Sequence, residues 1–358
     1  MPETDHHLRV ALIGYGAAGS VFHAPLIAST AGMQLVAVVT GHPERQEQAR
    51  NRYPGASIVA RAEELWRDPG RYDLVVVATP NQFHVPLGLA ALDAGLPVLI
   101  DKPLAATVAD AERLLEASRR SGKLLSVFQN RRWDGDFLTV RKIVEAGLLG
   151  SIVAFESRFD RYRPSPKPGA WREHADPAEA GGLLYDIGSH LIDQAVQLFG
   201  RPLRVYAEMG IRRPAVQVDD DTFVALEFEQ GVSARLWMSV VARIAGQRMR
   251  VSGLHGTYEK WGLDPQEDAL RAGALPGSTG WGQEPSTRWG RLSTEVGGLH
   301  FDGQVETLPG AYEQFYAQLR DALLAGAPPP VNPSSVITVL RVIEAAQRSA
   351  HEKSTVEL

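Results

Sequence analysis

Residues 9–19 read Arg9-Val10-Ala11-Leu12-Ile13-Gly14-Tyr15-Gly16-Ala17-Ala18-Gly19, an apolar run that stops at a glycine and continues as G-x-G-x-x-G. The run predicts a buried strand, and residues 19–30 have helical spacing. Between strand and helix each glycine has a reason: Gly14 permits a tight turn, Gly16 lets backbone approach a pyrophosphate, and Gly19 lets helix and strand pack closely. The exposed N–H groups of the helix start attract the anion. Gly14, Tyr15, Gly16, Ala17, Ala18 and Gly19 are therefore candidate dinucleotide contacts.

Outward from this turn the same alternation repeats to about Val127. Strand-like runs cover Arg9–Ile13, Leu35–Thr40, Asp73–Ala78, Pro97–Ile100 and Leu124–Phe128, with helical stretches near 19–30, 43–52, 84–94 and 107–121. A parallel pair needs a crossover, and its strands are buried on both sides, so residues 1–128 are predicted to form a doubly wound parallel α/β domain of Rossmann type. After a helix over 136–147 that ends at Gly147 and Gly150, strand candidates follow at 151–163, 203–213, 219–229, 232–241 and 247–253, interrupted by a helix at 183–198. Residues 271–299 are read as long loops, and 310–325 and 334–351 as helices. Residues 129–358 are thus expected to be an α+β domain with a large open, mainly antiparallel sheet, the last helix free to pack on either domain.

Composition narrows the function. At roughly 100–200 residues per domain, 358 residues make two. With 44% hydrophobic and 22% charged residues the chain is a folded, soluble one. Against 42 Asp+Glu, 37 Lys+Arg leave no basic surplus for nucleic acid. The absence of cysteine excludes disulfides, thiolate metal sites and a cysteine nucleophile, and fits a reducing compartment. The start MPETDHHLRV lacks the pattern of a secretory signal and no long apolar run follows, so a cytoplasmic location and no membrane partner are expected.

The second strand ends at Thr40, where NAD-selective proteins usually place an acid for the ribose 2′-hydroxyl. The neutral Thr40 with Arg45 nearby favours the 2′-phosphate of NADP(H); Glu44, one position from Arg45, is the rival that would favour NAD(H). The next strands run into Thr79, Pro80, Asn81 and His84, and into Asp101, Lys102 and Pro103, where ligands of open α/β sheets bind. Lys102 is placed to neutralise a developing alkoxide. In GGLLYDIGSHLID, Asp186 and His190 stand four apart on the 183–198 helix and share a face. Histidine titrates near neutrality, which suits it to moving a hydroxyl proton. Asp193, a turn further, is read as structural.

Together VALIGYGAAG, VATPNQFHVPLGLAALDAG, the DKP tripeptide and GGLLYDIGSHLID resemble the Gfo/Idh/MocA oxidoreductases over nearly the whole chain. FHAPLI, LSVFQNRRWDGDFLT, FESRFDRYRP and YEKWGLDPQEDAL are similar to the branch that holds NADP-dependent scyllo-inositol dehydrogenases. The family usually has Glu where this chain has Asp101, which keeps the charge on a shorter side chain. The resemblance implies hydride transfer between nicotinamide and a secondary alcohol of a polyol, inositol or sugar, without metal. It implies that Lys102, Asp186 and His190 meet across a domain cleft, with His190 as acid/base, that Trp171 and Arg172 approach the substrate, and that Asn130 and Arg131 lie near it. It also implies homodimers or homotetramers formed through the C-terminal sheet. The competing reading is a non-catalytic, sugar- and dinucleotide-binding regulator of the same fold, against which the presence of an acid/base pair argues.

Overall fold

A computed structural model describes residues 7–166 and 176–358 of the chain, so Trp171 and Arg172 lie outside the described residues. The chain divides into two compact units, Met1–Asn130 with Gln266–Trp281 and Ala311–Ile337, and Arg131–Pro265 with Gly282–Gly310 and Thr338–Leu358. Both are discontinuous, whereas the expected division was a single cut after residue 128; the first unit recruits two later segments that the strand-helix rhythm cannot assign.

The first unit holds a parallel sheet of β1 (Leu8–Ile13), β2 (Met33–Val39), β3 (Ser57–Val59), β4 (Leu74–Val77), β5 (Val98–Asp101) and β6 (Leu125–Phe128) in the order 3-2-1-4-5-6. Every residue of β4 is buried, as a strand covered on both faces requires. The order reverses between β1 and β4, which is where such sheets open a ligand crevice beyond their carboxyl ends. The helices between its strands are α1 (Ala24–Ser29), α2 (Pro43–Arg52), α3 (His84–Asp93) and α4 (Val108–Ser121). The helix expected over 19–30 is instead a π turn at Ala18–His23 that runs into α1, with Pro25 in the first turn of α1.

The second unit begins with α5 (Gly135–Glu145) and β7 (Ile152–Asp160), then α6 (Ser189–Phe199), β8 (Pro202–Gly210), β9 (Asp221–Phe228), β10 (Ser233–Ser239), β11 (Met249–Gly253) and β12 (Gly256–Lys260). After α7 (Gln266–Arg271), which belongs to the first unit, come β13 (Gly290–Val296) and β14 (Leu299–Val305); α8 (Tyr312–Ala325) is again in the first unit, and α9 (Pro333–Glu352) and β15 (Val356–Glu357) end the chain. The sheet has nine strands in the order 14-13-12-11-7-10-9-8-15, antiparallel except for the pair β7 and β10. Part of the expected 271–299 loop is strand β13. Its inward positions are Gly290, Leu292 and Thr294, and a Cβ on Gly290 would fall 2.2 Å from the Tyr258 hydroxyl, so a small residue hides the alternation. Among the described residues no helix is long and apolar enough to cross a membrane.

Candidate active site

The glycine turn has the form a dinucleotide phosphate needs. Gly14 has φ +98°, and a Cβ there would lie 2.3 Å from the Ala78 carbonyl oxygen; one on Gly19 would lie 2.0 Å from the Gly14 carbonyl oxygen. Both positions must be glycine for the turn to close. Gly16 differs: among the described residues other than its chain neighbours, the one atom within 4 Å of its Cβ position is Arg45 Nη1 at 3.9 Å. Backbone at Gly16 is thus open to a ligand, with a guanidinium beside it. The Ala17 side chain offers no cap to the π turn, whose leading N–H groups remain available to an anion. Burial pushes the Tyr15 phenol up to about 12, so it adds no negative charge beside that anion. Thr40 is buried, and its carbonyl accepts from Gln46 Nε2 at 2.8 Å, which ties α2 and hence Arg45 to the end of β2. These residues fit an NAD(P) dinucleotide.

Beyond β4 and β5 His84 lies between the two chain turns. Its Nδ1 lies 2.7 Å from the Pro103 carbonyl and its Nε2 3.0 Å from the Thr79 carbonyl, with the ring fully buried. Burial lowers the ring's proton affinity while the Asp101 carboxylate opposes it. His84 therefore supports the turns that carry Thr79, Pro80, Asn81 and Lys102, and its ring is not presented to a cofactor. Asn81 is buried at the start of the helical turn before α3. Lys102 is half-buried, and its backbone N–H donates to Asp101 Oδ1 at 2.8 Å.

In the second unit the GGLLYDIGSHLID segment forms a π turn at Leu184–Gly188 that leads into α6, where a continuous α-helix was expected. A π turn bonds across five residues and not four, and it carries Asp186 while His190 lies in α6. His190 is buried near the start of α6 and Asp186 is half-buried. What holds this segment is Asp219: Oδ2 accepts from Leu184 N at 2.8 Å and Thr222 Oγ1 at 2.6 Å, and its carbonyl accepts from Leu183 N at 3.0 Å. Burial pushes the Asp219 carboxyl up, against those two hydrogen bonds. A Cβ on Gly182 would fall 1.9 Å from Asp219 Oδ1, which is why the segment opens on glycine. Asp219→Ala is expected to strand the Leu184 N–H and Thr222 hydroxyl and to cost about 1–3 kcal/mol, read as a lowered thermal midpoint.

Further along α6, Asp193 takes both guanidinium arms of Arg132, at 2.8 and 2.6 Å. Gln194 Nε2 donates to the Arg131 carbonyl at 3.0 Å, and its Oε1 accepts from Arg248 Nη2 at 3.2 Å. Arg248 Nε lies 3.0 Å from Asp136 Oδ2, both buried. The helix carrying His190 is therefore fixed by a buried charged layer. Arg131 is part of it, paired with Asp134 at 3.2 Å, with its guanidinium 4.9 Å from the Phe159 ring centre. Asn130 is buried in the turn after β6. Lys102 and the dinucleotide turn belong to the first unit, Asp186, His190 and Arg131 to the second. Among the described residues no group of three or more His, Asp or Glu side chains is placed to hold a metal.

Sequence reasoning passed over Asp219, Arg132, Arg248 and His23. The contacts by which the first three hold α6 and its π turn are to neighbours distant in sequence, and His23, in FHAPLI, resembles any residue of an apolar helix until its partners are seen.

Comparison with known proteins identifies the family. Residues 8–129 match the model for the NAD-binding Rossmann fold of the GFO_IDH_MocA oxidoreductase family, and residues 141–358 that for its C-terminal alpha/beta domain. The uncharacterized oxidoreductase YdgJ of Escherichia coli is 39% identical, covering 98% of each chain. The scyllo-inositol 2-dehydrogenase (NADP(+)) IolW of Bacillus subtilis is 37% identical, covering 98% of this chain and 96% of its own. The solved structure of Bacillus subtilis yvaA superposes with a TM-score of 0.94 at 35% identity over 99% of each chain. With both domains matched and relatives aligned from end to end, the chain belongs to the Gfo/Idh/MocA family of oxidoreductases.

Proposed function

We propose that this oxidoreductase is an NADP(H)-preferring dehydrogenase acting on a secondary alcohol of a polyol, inositol or sugar, with scyllo-inositol the first substrate to try. The observation that carries the cofactor preference is Arg45 beside the open backbone of Gly16, with the neutral Thr40 at the end of β2. The 37% identity to a scyllo-inositol 2-dehydrogenase over nearly the full length supports the substrate class. When bound, the nicotinamide accepts or returns the hydride. His190 takes the hydroxyl proton during oxidation and returns it during reduction, Lys102 offsets the charge growing on the same oxygen, and Asp186 orients the hydroxyl beside His190. Asn130, Arg131, Trp171 and Arg172 are assigned to the substrate side, and Thr79, Pro80 and Asn81 to the nicotinamide side.

Nicotinamide absorbance tests the reading directly: with NADP+ and a panel of inositols and aldoses, at least one polyol is expected to be oxidised, and faster than with NAD+. Silence across the panel with dinucleotide binding intact would turn the reading to a sugar-sensing regulator. Arg45→Ala is expected to weaken NADP(H) by about 10- to 100-fold, as loss of one charge-assisted contact would, and NAD(H) far less. Equal losses for both would remove Arg45 from 2′-phosphate recognition.

We also propose a cytoplasmic homodimer or homotetramer that pairs through the open face of the nine-stranded sheet. Aromatic and cationic side chains stack there, with Arg158 3.8 Å above the Trp237 ring and Phe223 5.2 Å from it, a mixture common at subunit contacts.

A further inference from the structure

Behind Lys102 the first unit buries a chain of polar groups that neither the dinucleotide turn nor the alcohol chemistry requires. His23, at the end of the π turn that follows the glycines, is 0% exposed among aromatic rings, its centre 4.4 Å from Phe128. Its Nδ1 lies 2.6 Å from the Tyr316 hydroxyl on α8. Its Nε2 faces Asp101 Oδ2 at 3.8 Å, within ionic reach but too long for a hydrogen bond, and has no other partner among the described residues. The other oxygen of Asp101 is the acceptor of the Lys102 backbone N–H.

An imidazole in an aromatic pocket is a poor filler, since leucine or phenylalanine would occupy the space without burying polar atoms. We propose that His23 is a positioning residue for Lys102, acting through Asp101, and that the Tyr316 hydroxyl fixes the tautomer in which it does so. Tyr316 keeps its proton, because burial holds the phenol far above its usual range and the Asp101 charge adds to that, and with the Asp101 carboxylate in front of Nε2 the favoured tautomer is the one in which the phenol donates to Nδ1. The ring proton is then on Nε2, pointed at Asp101. Four groups face this carboxyl: His23 from the turn after β1, His84 from α3, Tyr316 from α8, and Lys102 beside it. Burial pushes the Asp101 carboxyl up, but His23, then His84 and Lys102, outweigh it and leave the group below its ordinary value. Asp101 thus stays a carboxylate with one oxygen facing His23 and the other accepting from the backbone N–H of Lys102. The short Asp in place of Glu brings this carboxylate close enough to its own chain to accept that N–H.

The kinetic half of the proposal rests on the dehydrogenase reading; the structural half does not. Long-range proton–nitrogen NMR of histidine rings in the intact protein is expected to show His23 as the Nε2–H tautomer, and Tyr316→Phe to lose that single tautomer. Tyr316→Phe and His23→Leu are each expected to lower kcat by about 10- to 100-fold, as misplacement of a reacting group does, with KM for the dinucleotide nearly unchanged. His23→Gln, which restores an N–H toward Asp101, is expected to recover part of the loss. An Nδ1–H tautomer in the wild type, or full kcat in Tyr316→Phe, overturns the proposal. A wild type that is inactive toward every alcohol yet holds the Nε2–H tautomer would overturn the dehydrogenase reading and leave the His23–Tyr316–Asp101 arrangement standing.

Discussion

Replacing His190 by alanine is expected to lower kcat by about 10²–10⁴-fold, the range a positioned acid/base group supplies, while dinucleotide binding is retained. The side chain lies near the start of α6, on a helix fixed by Asp219 at one end and by the Arg132–Asp193 and Arg248–Asp136 pairs beyond it. Removing the imidazole leaves those contacts in place, so the loss is chemical and appears in kcat and in kcat/KM alike. Lys102→Met is expected to give a similar depression for a different reason: a charge that stabilises the alkoxide matters only as the alkoxide forms, so KM for the alcohol moves less than kcat. Steady-state rates with saturating dinucleotide check both. An ordinary rate in either variant would take that residue out of the mechanism.

The largest effect on stability is expected at the buried pair beneath α6. Arg132 and Asp193 are 9% and 2% exposed at their side chains, and two short hydrogen bonds join them. Arg132→Met would leave a carboxylate in the interior without its cation, a loss of about 3–5 kcal/mol when one partner of a buried pair is removed. The double substitution Arg132→Met with Asp193→Leu strands no charge and is expected to recover most of that loss, because a hydrophobic pair of similar volume is often as stable as the ion pair. Denaturant unfolding of the two variants decides it. A single variant within about 1 kcal/mol of wild type would mean that water reaches the pair and that it behaves as a surface one.

How much of this the sequence discloses differs between the units. In the first, strands buried on both faces are written as apolar runs, so β1, β2, β4, β5 and β6 are all legible, and only β3, three half-buried residues, goes unseen. The glycine turn is legible because close backbone approach leaves glycine as the residue that fits, as at Gly14 and Gly19. In the second unit β13 turns a glycine and a threonine inward, and β14 is exposed along most of its length, so neither carries a hydrophobic period. The π turns at 18–23 and 184–188 have no composition that separates them from α-helix. Of the candidate site, Lys102, Asp186 and His190 stand out by chemistry and spacing, whereas His84 shares the strand-end position of a ligand contact and proves to be a buried support. The supporting layer is hidden for a simple reason: its partners are far apart in sequence, His23 and Tyr316 by 293 residues.

The most direct trial of hydride transfer uses an inositol carrying deuterium at the carbon to be oxidised, incubated with the protein and NADP+. Deuterium recovered at the reactive carbon of the nicotinamide ring is the expected result. Oxidation with the label released to water, or no oxidation by a protein that binds the dinucleotide, would contradict it.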